Sequence, residues 1–136
     1  MQVNPYLLFN GQCEEAFNFY ARCLGGTIET MMTHGGSPAE GQVSADWRDK
    51  ILHASLRVGD DVLMASDAPP GHYEQPQGFS VSLQFDNPAE GERVFNALAE
   101  DGKIRMPFGE TFWAVRFGML VDRFGIPWII NCGQEA

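Results

Sequence analysis

The chain has 136 residues, of which 44% are hydrophobic and 20% charged, so we expect one globular domain or two small half-domains with a shared core. Its formal net charge of −9 argues against partners such as nucleic acid or an anionic membrane surface, because both require clustered lysine and arginine. The three cysteines form no CxxC pair, and we find no secretory leader and no run of about 18 apolar residues, so we expect a cytoplasmic protein with no membrane span.

The first half of the sequence predicts a strand, a helix, a second strand and a β-hairpin. The helix is indicated by apolar residues at helical spacing and by the Gly25-Gly26 stop. Residues 34–50 show no period and predict a loop whose length is often associated with function. The predicted elements are a strand at 3–9, a helix at 12–24, a strand at 27–33 and hairpin strands at 51–58 and 62–66.

The second half repeats the first. A shift of 76 residues places Phe9 on Phe85 and Gly26 on Gly102 without a gap. The predicted elements are a strand at 79–85, a helix from an Asn87 N-cap to about 101, and strands at 103–107, 112–121 and 126–131. We therefore expect an α+β fold of two equivalent units, module one at about 1–67 and module two at about 78–136, joined by a connector at 68–77.

Three segments carry a resemblance to a known family. They are NPYLLFNGQCEEAFNFYARCLGG, HASLRVGDDVLMASDAPPG and ETFWAVRFGMLVDRFGIPWIINC. With the repeat, the sequence resembles the PhnB-like branch of the vicinal oxygen chelate superfamily, which includes glyoxalase I, bleomycin-resistance proteins and extradiol dioxygenases. The resemblance implies two βαβββ modules whose curved mixed or antiparallel sheets enclose a cavity, and usually a homodimer.

Members of this branch have also carried a demethylubiquinone methyltransferase label. The sequence has no glycine-rich strand–turn–helix loop of the kind that a nucleotide-like cofactor favours, so we do not expect that activity.

The resemblance also locates the metal ligands of metal-using relatives, which are His, Glu or Gln on the first and last strand of each module. In this sequence those positions fall at Asn4, Ala65, Ser80 and Ile129, or with a one-residue slip at Pro5, Ser66 or Ile130. None of these residues is His or Glu. We therefore predict no metal and no other cofactor.

Strand alternation separates an apolar face, expected to pack under a helix, from a polar face expected to line the cavity. In the strand at 112–121, the face assigned to the helix holds Val115, Phe117, Met119 and Val121. The predicted ligand-binding residues are Asn4, Tyr6, Ser55, Arg57, Ser80, Ser82, Gln84, Phe112 and Arg116, with His53 beside them. Two arginines, a histidine and no carboxylate suit a small polar or anionic molecule with an aromatic or apolar part.

Two residues are candidate proton carriers. His53 could be a general base in an enclosed cavity or a structural histidine. Glu110, beside Phe112, could be an acid or base with a raised pKa, or a solvated residue at a strand end.

The remaining notable residues have simpler interpretations. His34 and His72 lie in Gly/Pro-rich loops where solvent exposure is expected, and Asp67 is interpreted as a turn residue. Trp113 and Trp128 are interpreted as core or dimer-interface residues. Cys132 has no identifiable base partner, so no nucleophile is proposed.

Several functions therefore stay open. The first is a metal-free cavity that binds a small molecule, as bleomycin-resistance relatives do. The second is a lyase, isomerase or transferase that acts on a small anionic substrate through His53 or Glu110. Two further hypotheses are a metal-dependent glyoxalase-like enzyme and a structural or regulatory dimer.

Overall fold

The computed structural model describes residues 1–133, and the chain divides into two compact units, Met1–Glu74 and a second that begins at Gln75. The first unit contains β1 (Tyr6–Phe9), α1 (Cys13–Leu24), β2 (Thr27–Thr33), β3 (Ile51–Val58) and β4 (Asp61–Asp67). The second contains β5 (Val81–Phe85), α2 (Pro88–Ala99), β6 (Lys103–Gly109), β7 (Arg116–Val121) and β8 (Pro127–Cys132). The expected α+β fold of two βαβββ modules is confirmed.

Each module forms one four-stranded mixed sheet. The strand orders are β1-β4-β3-β2 and β5-β8-β7-β6. In each sheet the first and last strands of the module pair in parallel, and the other pairs are antiparallel. The two sheets therefore share one topology, as the sequence repeat predicts.

One face of each sheet packs against the helix of its own module. In module one, Phe17 and Tyr20 of α1 are fully buried with Leu7 and Leu56 of the sheet. In module two, the buried set is Val94, Phe95 and Leu98 of α2 with Leu120, Trp128 and Ile130 of the sheet. Each large side chain buried in this way stabilises the fold by about 1.5–3 kcal/mol.

A buried carboxylate lies at the end of β4. Asp67 accepts hydrogen bonds from the backbone N–H of Cys13 at 2.9 Å and of Ile51 at 2.8 Å. The N-cap residue Gln12 makes no side-chain capping bond, so Asp67 supplies a bond to the first residue of α1. The interpretation of Asp67 as a turn residue was wrong, because it is the last residue of β4 and joins the starts of α1 and β3.

A second buried carboxylate stabilises the β7–β8 turn. Asp122 accepts from the backbone N–H of Phe124 at 2.8 Å and of Ile126 at 3.0 Å, and from Trp128 Nε1 at 2.8 Å. Gly125 adopts φ +88°, a conformation that glycine reaches without steric cost. The predicted Asp-Arg-Phe-Gly turn is therefore held by side-chain bonds as well as by its backbone.

The predicted cap of α2 is confirmed. Asn87 Oδ1 accepts from the backbone N–H of Ala89 at 2.8 Å and of Glu90 at 3.4 Å, and Pro88 occupies the first helical turn. The Glu90 carboxylate bonds Arg93 one turn later, and this hydrogen bond holds the pKa of Glu90 below its usual range.

Three predicted strands begin two or more residues later than expected. The strand predicted at 3–9 begins at Tyr6, since Pro5 has no N–H for a ladder bond. The strand predicted at 79–85 begins at Val81, and Phe79 is 48% exposed. The strand predicted at 112–121 begins at Arg116, because residues 110–115 form a loop closed by bonds between Thr111 and Ala114.

The predicted faces of β7 were wrong. Arg116, Gly118 and Leu120 pair with Cys132, Ile130 and Trp128, which places them on the face toward α2. Phe117 and Met119 lie on the opposite face. The apolar pattern gave the wrong face because the buried residue of β7 that faces α2 is a glycine. A Cβ on Gly118 would lie 2.6 Å from the ring of Phe95, which fills that space.

No helix within residues 1–133 is long and apolar enough to cross a membrane.

Candidate functional site

We call the side of each sheet opposite its own helix the open face. In module one, β-ladder register places Tyr6, Ser55 and Arg57 on this face, and His53 follows by alternation. These four orientations agree with the sequence prediction. None of the four residues is fully buried.

Tyr6 and His53 form a pair on the open face of module one. The Tyr6 hydroxyl lies 3.2 Å from His53 Nδ1, and the rings stack with centroids 5.8 Å apart. When Tyr6 donates this hydrogen bond, Nε2 carries the ring proton of a neutral His53. The pair then presents an N–H donor to a ligand.

Two other predicted residues of module one are engaged within the protein. Arg57 Nε donates to Glu29 Oε2 at 2.9 Å, and this hydrogen bond raises the pKa of Arg57. Asn4 Nδ2 donates to the carbonyl of Val62 at 3.2 Å. A ligand that binds Arg57 or Asn4 must either replace these internal hydrogen bonds or form additional ones beside them.

The last-strand family position of module one requires a correction. Ala65 pairs with Leu7 and Ala54 and is fully buried on the helix side. The open-face residue at this end of β4 is therefore the neighbouring Ser66, which pairs with Leu8.

The open face of module two carries a chain of amide and hydroxyl groups. Asn131 Nδ2 donates to Gln84 Oε1 at 2.7 Å, and Gln84 Nε2 donates to Ser82 Oγ at 3.0 Å. Ile129 lies on the same face beside Ser82. Asn131 was missed by the sequence analysis, although its alternation with the buried Ile130 and Cys132 is visible in the sequence.

The loop at 110–115 and the first residue of β7 surround a cavity of about 410 Å³, lined by residues 110–116. Three predicted site residues line it: Glu110, Phe112 and Arg116. Arg116 Nη1 donates to Glu110 Oε1 at 3.2 Å and to the carbonyl of Val115 at 2.8 Å. Sequence reasoning placed these residues at a common site, but on a strand face rather than in a loop.

Two aromatic residues, Phe112 and Trp113, are among those that line this loop cavity. Trp113 packs edge-on against Phe112 at 4.8 Å and against Phe117 at 5.3 Å between centroids. Phe112 is 97% exposed and Trp113 is 39% exposed, so Trp113 is not a core residue of the module. Trp128 is fully buried, which confirms its interpretation as a core residue.

The two loop histidines differ. His72 is exposed, as expected. His34 is only 5% exposed, so the expectation of solvent exposure was wrong for this residue. The reason is that residues 34–50 fold back, with His34 N–H donating to Lys50 O at 3.0 Å.

Cys132 lies under α2, close to Gly91. Burial raises the pKa of its thiol, and the charge of Arg116 opposes that shift. The chemistry of a thiolate nucleophile is therefore disfavoured at this position.

The positions that hold metal in metal-using relatives do not fit a metal here. Ala65 and Ile129 offer no donor atom, and the Asn4 side-chain amide donates to Val62. Within residues 1–133, no group of three His, Cys, Asp or Glu side chains is arranged to hold a metal ion. We therefore derive no chemical step through a metal.

Comparison with known proteins places the chain in a family. The family model described as 3-demethylubiquinone-9 3-methyltransferase matches residues 1–131. Protein YjdN of Escherichia coli (strain K12) is 39% identical over 143 residues, which cover 99% of this chain and 97% of YjdN.

Solved structures agree. Protein PA1353 from Pseudomonas aeruginosa shares 54% identity over 99% of each chain, with a TM-score of 0.90. A PhnB protein from Bacillus cereus shares 25% identity over 98% of this chain and 100% of that one, with a TM-score of 0.82. The fosfomycin resistance protein FosX from Mesorhizobium loti, at 10% identity over 98% and 92% of the chains and a TM-score of 0.65, shares the fold alone. The chain therefore belongs to the PhnB-like family, whose model is described as 3-demethylubiquinone-9 3-methyltransferase.

Proposed function

We propose that this protein binds a small anionic molecule with an aromatic or apolar part in the loop cavity at residues 110–116, without a metal. The observation that supports this proposal is that Glu110, Phe112 and Arg116 line one cavity of about 410 Å³. Small-molecule sites in proteins usually occupy about 300–1,000 Å³. The cavity is therefore large enough for a ring that bears one acidic group.

Arg116 is the proposed anion-binding residue. Its guanidinium is held by the Val115 carbonyl, whereas its partner Glu110 has a side chain that is 80% exposed. An exposed ion pair of this kind contributes about 0–1 kcal/mol, so a ligand anion can displace Glu110 at small cost. A guanidinium can then bind both oxygens of a carboxylate.

Phe112 and Trp113 supply the proposed contact with the apolar part of the ligand. Phe112 exposes nearly its whole side chain, and Trp113 is oriented by edge-to-face contacts with Phe112 and Phe117. A planar ligand can cover these rings and remove their apolar surface from water. Each fully covered aromatic side chain stabilises the complex by about 1.5–3 kcal/mol before the entropy cost of binding.

The other predicted contacts are kept as proposed ligand contacts within their own modules. They are Asn4, Tyr6, Ser55 and Arg57 in module one, and Ser80, Ser82 and Gln84 in module two. His53 and Glu110 are the proposed proton carriers if a bound molecule reacts. The family description names a methyltransferase, but neither strand-to-helix turn has a glycine-rich loop for a nucleotide-like cofactor. We therefore place binding, and no methyl transfer, at this cavity.

The experiment compares benzoate, benzamide and acetate, followed by amide chemical-shift changes in residues 110–116. We expect benzoate to bind, and benzamide and acetate to bind at least about tenfold more weakly, because each lacks either the charge or the ring. A hydrogen bond to a charged group contributes about 1.5–3 kcal/mol, which corresponds to about 10- to 150-fold in affinity.

The matched variants are Arg116→Gln and Arg105→Gln, which remove the same charge from the cavity and from an exposed position on β6. Benzoate affinity should fall at least tenfold in the first variant and stay unchanged in the second. Equal affinity for benzoate and benzamide, or an equal loss in both variants, would contradict the proposal.

We also propose that the protein acts in the cytoplasm as a homodimer. Within residues 1–133 all three cysteines are free and buried, which fits a reducing compartment. The dimer is supported by the resemblance of the sequence to its family.

A further inference from the structure

The loop cavity carries two charged side chains of opposite sign. Glu110 and Arg116 are charged, and the other residues that line the cavity are uncharged. The proposed function uses Arg116 to bind the acidic group of the ligand. It gives the displaced carboxylate of Glu110 no partner, although this carboxylate is carried by the same loop.

The Glu110 carboxylate is held weakly in the ligand-free protein. Arg116 Nη1 donates to Glu110 Oε1 at 3.2 Å, whereas Arg57 of module one donates to its glutamate at 2.9 Å. Charge-assisted bonds of this kind are usually about 2.7–2.9 Å long. The Glu110 side chain is also 80% exposed. The carboxylate can therefore rotate to a new partner without leaving a buried charge unpaired.

The backbone that carries the two charges is fixed. Thr111 Oγ1 accepts from the backbone N–H of Ala114 at 3.0 Å, and the Val115 N–H donates to the Gly133 carbonyl at 2.9 Å. Arg116 is the first residue of β7, and its Nη1 donates to the Val115 carbonyl at 2.8 Å. Binding therefore requires little further ordering of the loop, and both charged groups stay within reach of one small ligand.

The two charges favour a ligand that also carries two. A molecule with only a negative charge would take Arg116 but leave its own charge close to the Glu110 carboxylate, and like charges repel each other. The formal net charge of −9 on the chain adds to this repulsion. An ammonium group beside the acidic group removes both effects, because it pairs with Glu110 and makes the net charge of the ligand zero.

We propose, on the basis of the function proposed above, that the ligand of the loop cavity is an aromatic α-amino acid. Arg116 binds its carboxylate, Glu110 turns from Arg116 to its ammonium group, and Phe112 and Trp113 contact its ring. An α-amino acid carries both charges on one carbon atom. They therefore match two protein groups that contact each other before the ligand arrives.

The test compares L-phenylalanine, 3-phenylpropionate and phenethylamine, which share a ring and differ in charge, by the amide chemical-shift changes of residues 110–116. We expect phenylalanine to bind at least about fivefold more tightly than either analogue, because each analogue lacks one of the two charges.

The possible results separate this inference from the proposed function. If 3-phenylpropionate binds as tightly as phenylalanine, the amino-acid ligand is wrong, but a cavity for a ring with an acidic group still stands. If phenethylamine binds as tightly as phenylalanine, the acidic group is not recognised, and both proposals fail. Both also fail if neither phenylalanine nor 3-phenylpropionate shifts these amides.

Glu110→Gln and Glu100→Gln are the matched variants. They remove the same charge from the cavity and from an exposed ion pair with Arg123 at the end of α2. In Glu110→Gln, phenylalanine and 3-phenylpropionate should bind about equally, and the affinity for 3-phenylpropionate should not fall because Arg116 keeps its charge. Glu100→Gln should leave both affinities unchanged. A preference for phenylalanine that survives Glu110→Gln would overturn the assignment of Glu110 as the partner of the ammonium group.

Discussion

Cys13 is the first residue of α1 and is fully buried. Its backbone N–H donates to Asp67, so the thiol lies near a buried carboxylate. Burial raises the pKa of the Cys13 thiol, and the charges of Asp67 and Glu14 raise it further. The thiol therefore stays protonated in the folded protein at pH values where an exposed cysteine ionises.

This difference makes stability fall in alkaline solution. An unfolded cysteine ionises at about pH 8.5, so above that pH the unfolded chain releases a proton that the folded chain retains. The free energy of unfolding should then decrease with pH by up to about 1.4 kcal/mol per pH unit for this group. Urea unfolding at a series of pH values from neutral to alkaline should show this slope in the native protein and a smaller one in Cys13→Ala.

The two unfolding series are compared for their pH slopes rather than for their absolute values, because truncation of a buried side chain also lowers stability at neutral pH. Glu40→Gln removes one partner of the exposed ion pair between Glu40 and Arg48. This control variant should leave the decrease of unfolding free energy with pH in alkaline solution unchanged. Parallel slopes in the native protein and Cys13→Ala would show that the thiol is not responsible.

The histidines and aromatic residues show where sequence reasoning reaches its limit at this scale. Tyr6 and His53 could be placed on one face because strand alternation fixes side-chain direction. The burial of His34 could not be predicted, since it depends on the bond between His34 and Lys50 across a loop without a period.

Helix α2 approaches β8 closely at one glycine. A Cβ on Gly91 would lie 2.4 Å from Cys132 Sγ and 3.4 Å from Phe108. The thiol is buried and carried by a short side chain, so it cannot move away freely. The glycine is therefore required by packing, although glycine disfavours the interior of a helix by about 1 kcal/mol.

Gly91→Ala sets these two effects against each other. We expect a net loss of up to about 2 kcal/mol, because overpacking costs about 1–3 kcal/mol and helix propensity returns about 1 kcal/mol. The double variant, which carries both Gly91→Ala and Cys132→Ala, should lose less stability than the sum of the losses measured for the two single variants. Chemical denaturation of the four proteins measures this coupling.

Gly109→Ala is the control for this cycle, since nothing lies within 4 Å of a Cβ at that position. Additive effects of the two substitutions would mean that α2 and β8 adjust independently, and the packing account would then be wrong.

Elements were predicted well where their own residues determine them. The Asn87-Pro88 start of α2 and the Gly59-Asp60 hairpin follow from local chemistry, and both are present. The faces of β7 were not predicted correctly, because the residue that faces α2 is Gly118, and the space beside it is filled by the ring of Phe95 from another element. A contact between two elements is invisible to the periodicity of one.

At the scale of the whole molecule, the repeat accounts for most of the architecture. A shift of 76 residues carries β2 onto β6 end to end, but it fails beyond them because the loop at 34–50 is longer than its counterpart at 110–115. The loop cavity lies at the shorter of these unequal loops. The sequence therefore predicts the shared frame of the modules, whereas this cavity lies where the modules differ.

The proposed homodimer is also a property of the whole molecule. Sedimentation velocity should give a species of about twice the chain mass of 15.1 kDa, with dissociation only on dilution. A species of single-chain mass at every concentration would contradict the dimer. It would leave the loop-cavity proposal standing, since that cavity is lined by residues of one module.

The parallel pairing of the first and last strands of each module affects how the chain folds during synthesis. β1 can pair with β4 only after the chain has been synthesised as far as Asp67. In the same way, β5 can pair with β8 only after synthesis has passed Cys132. Such distant pairing slows folding, because a long loop must close before the contacts form. All four strands of the first sheet are synthesised before Val81, the first residue of the second sheet. The first sheet can therefore form while the second module is still being synthesised.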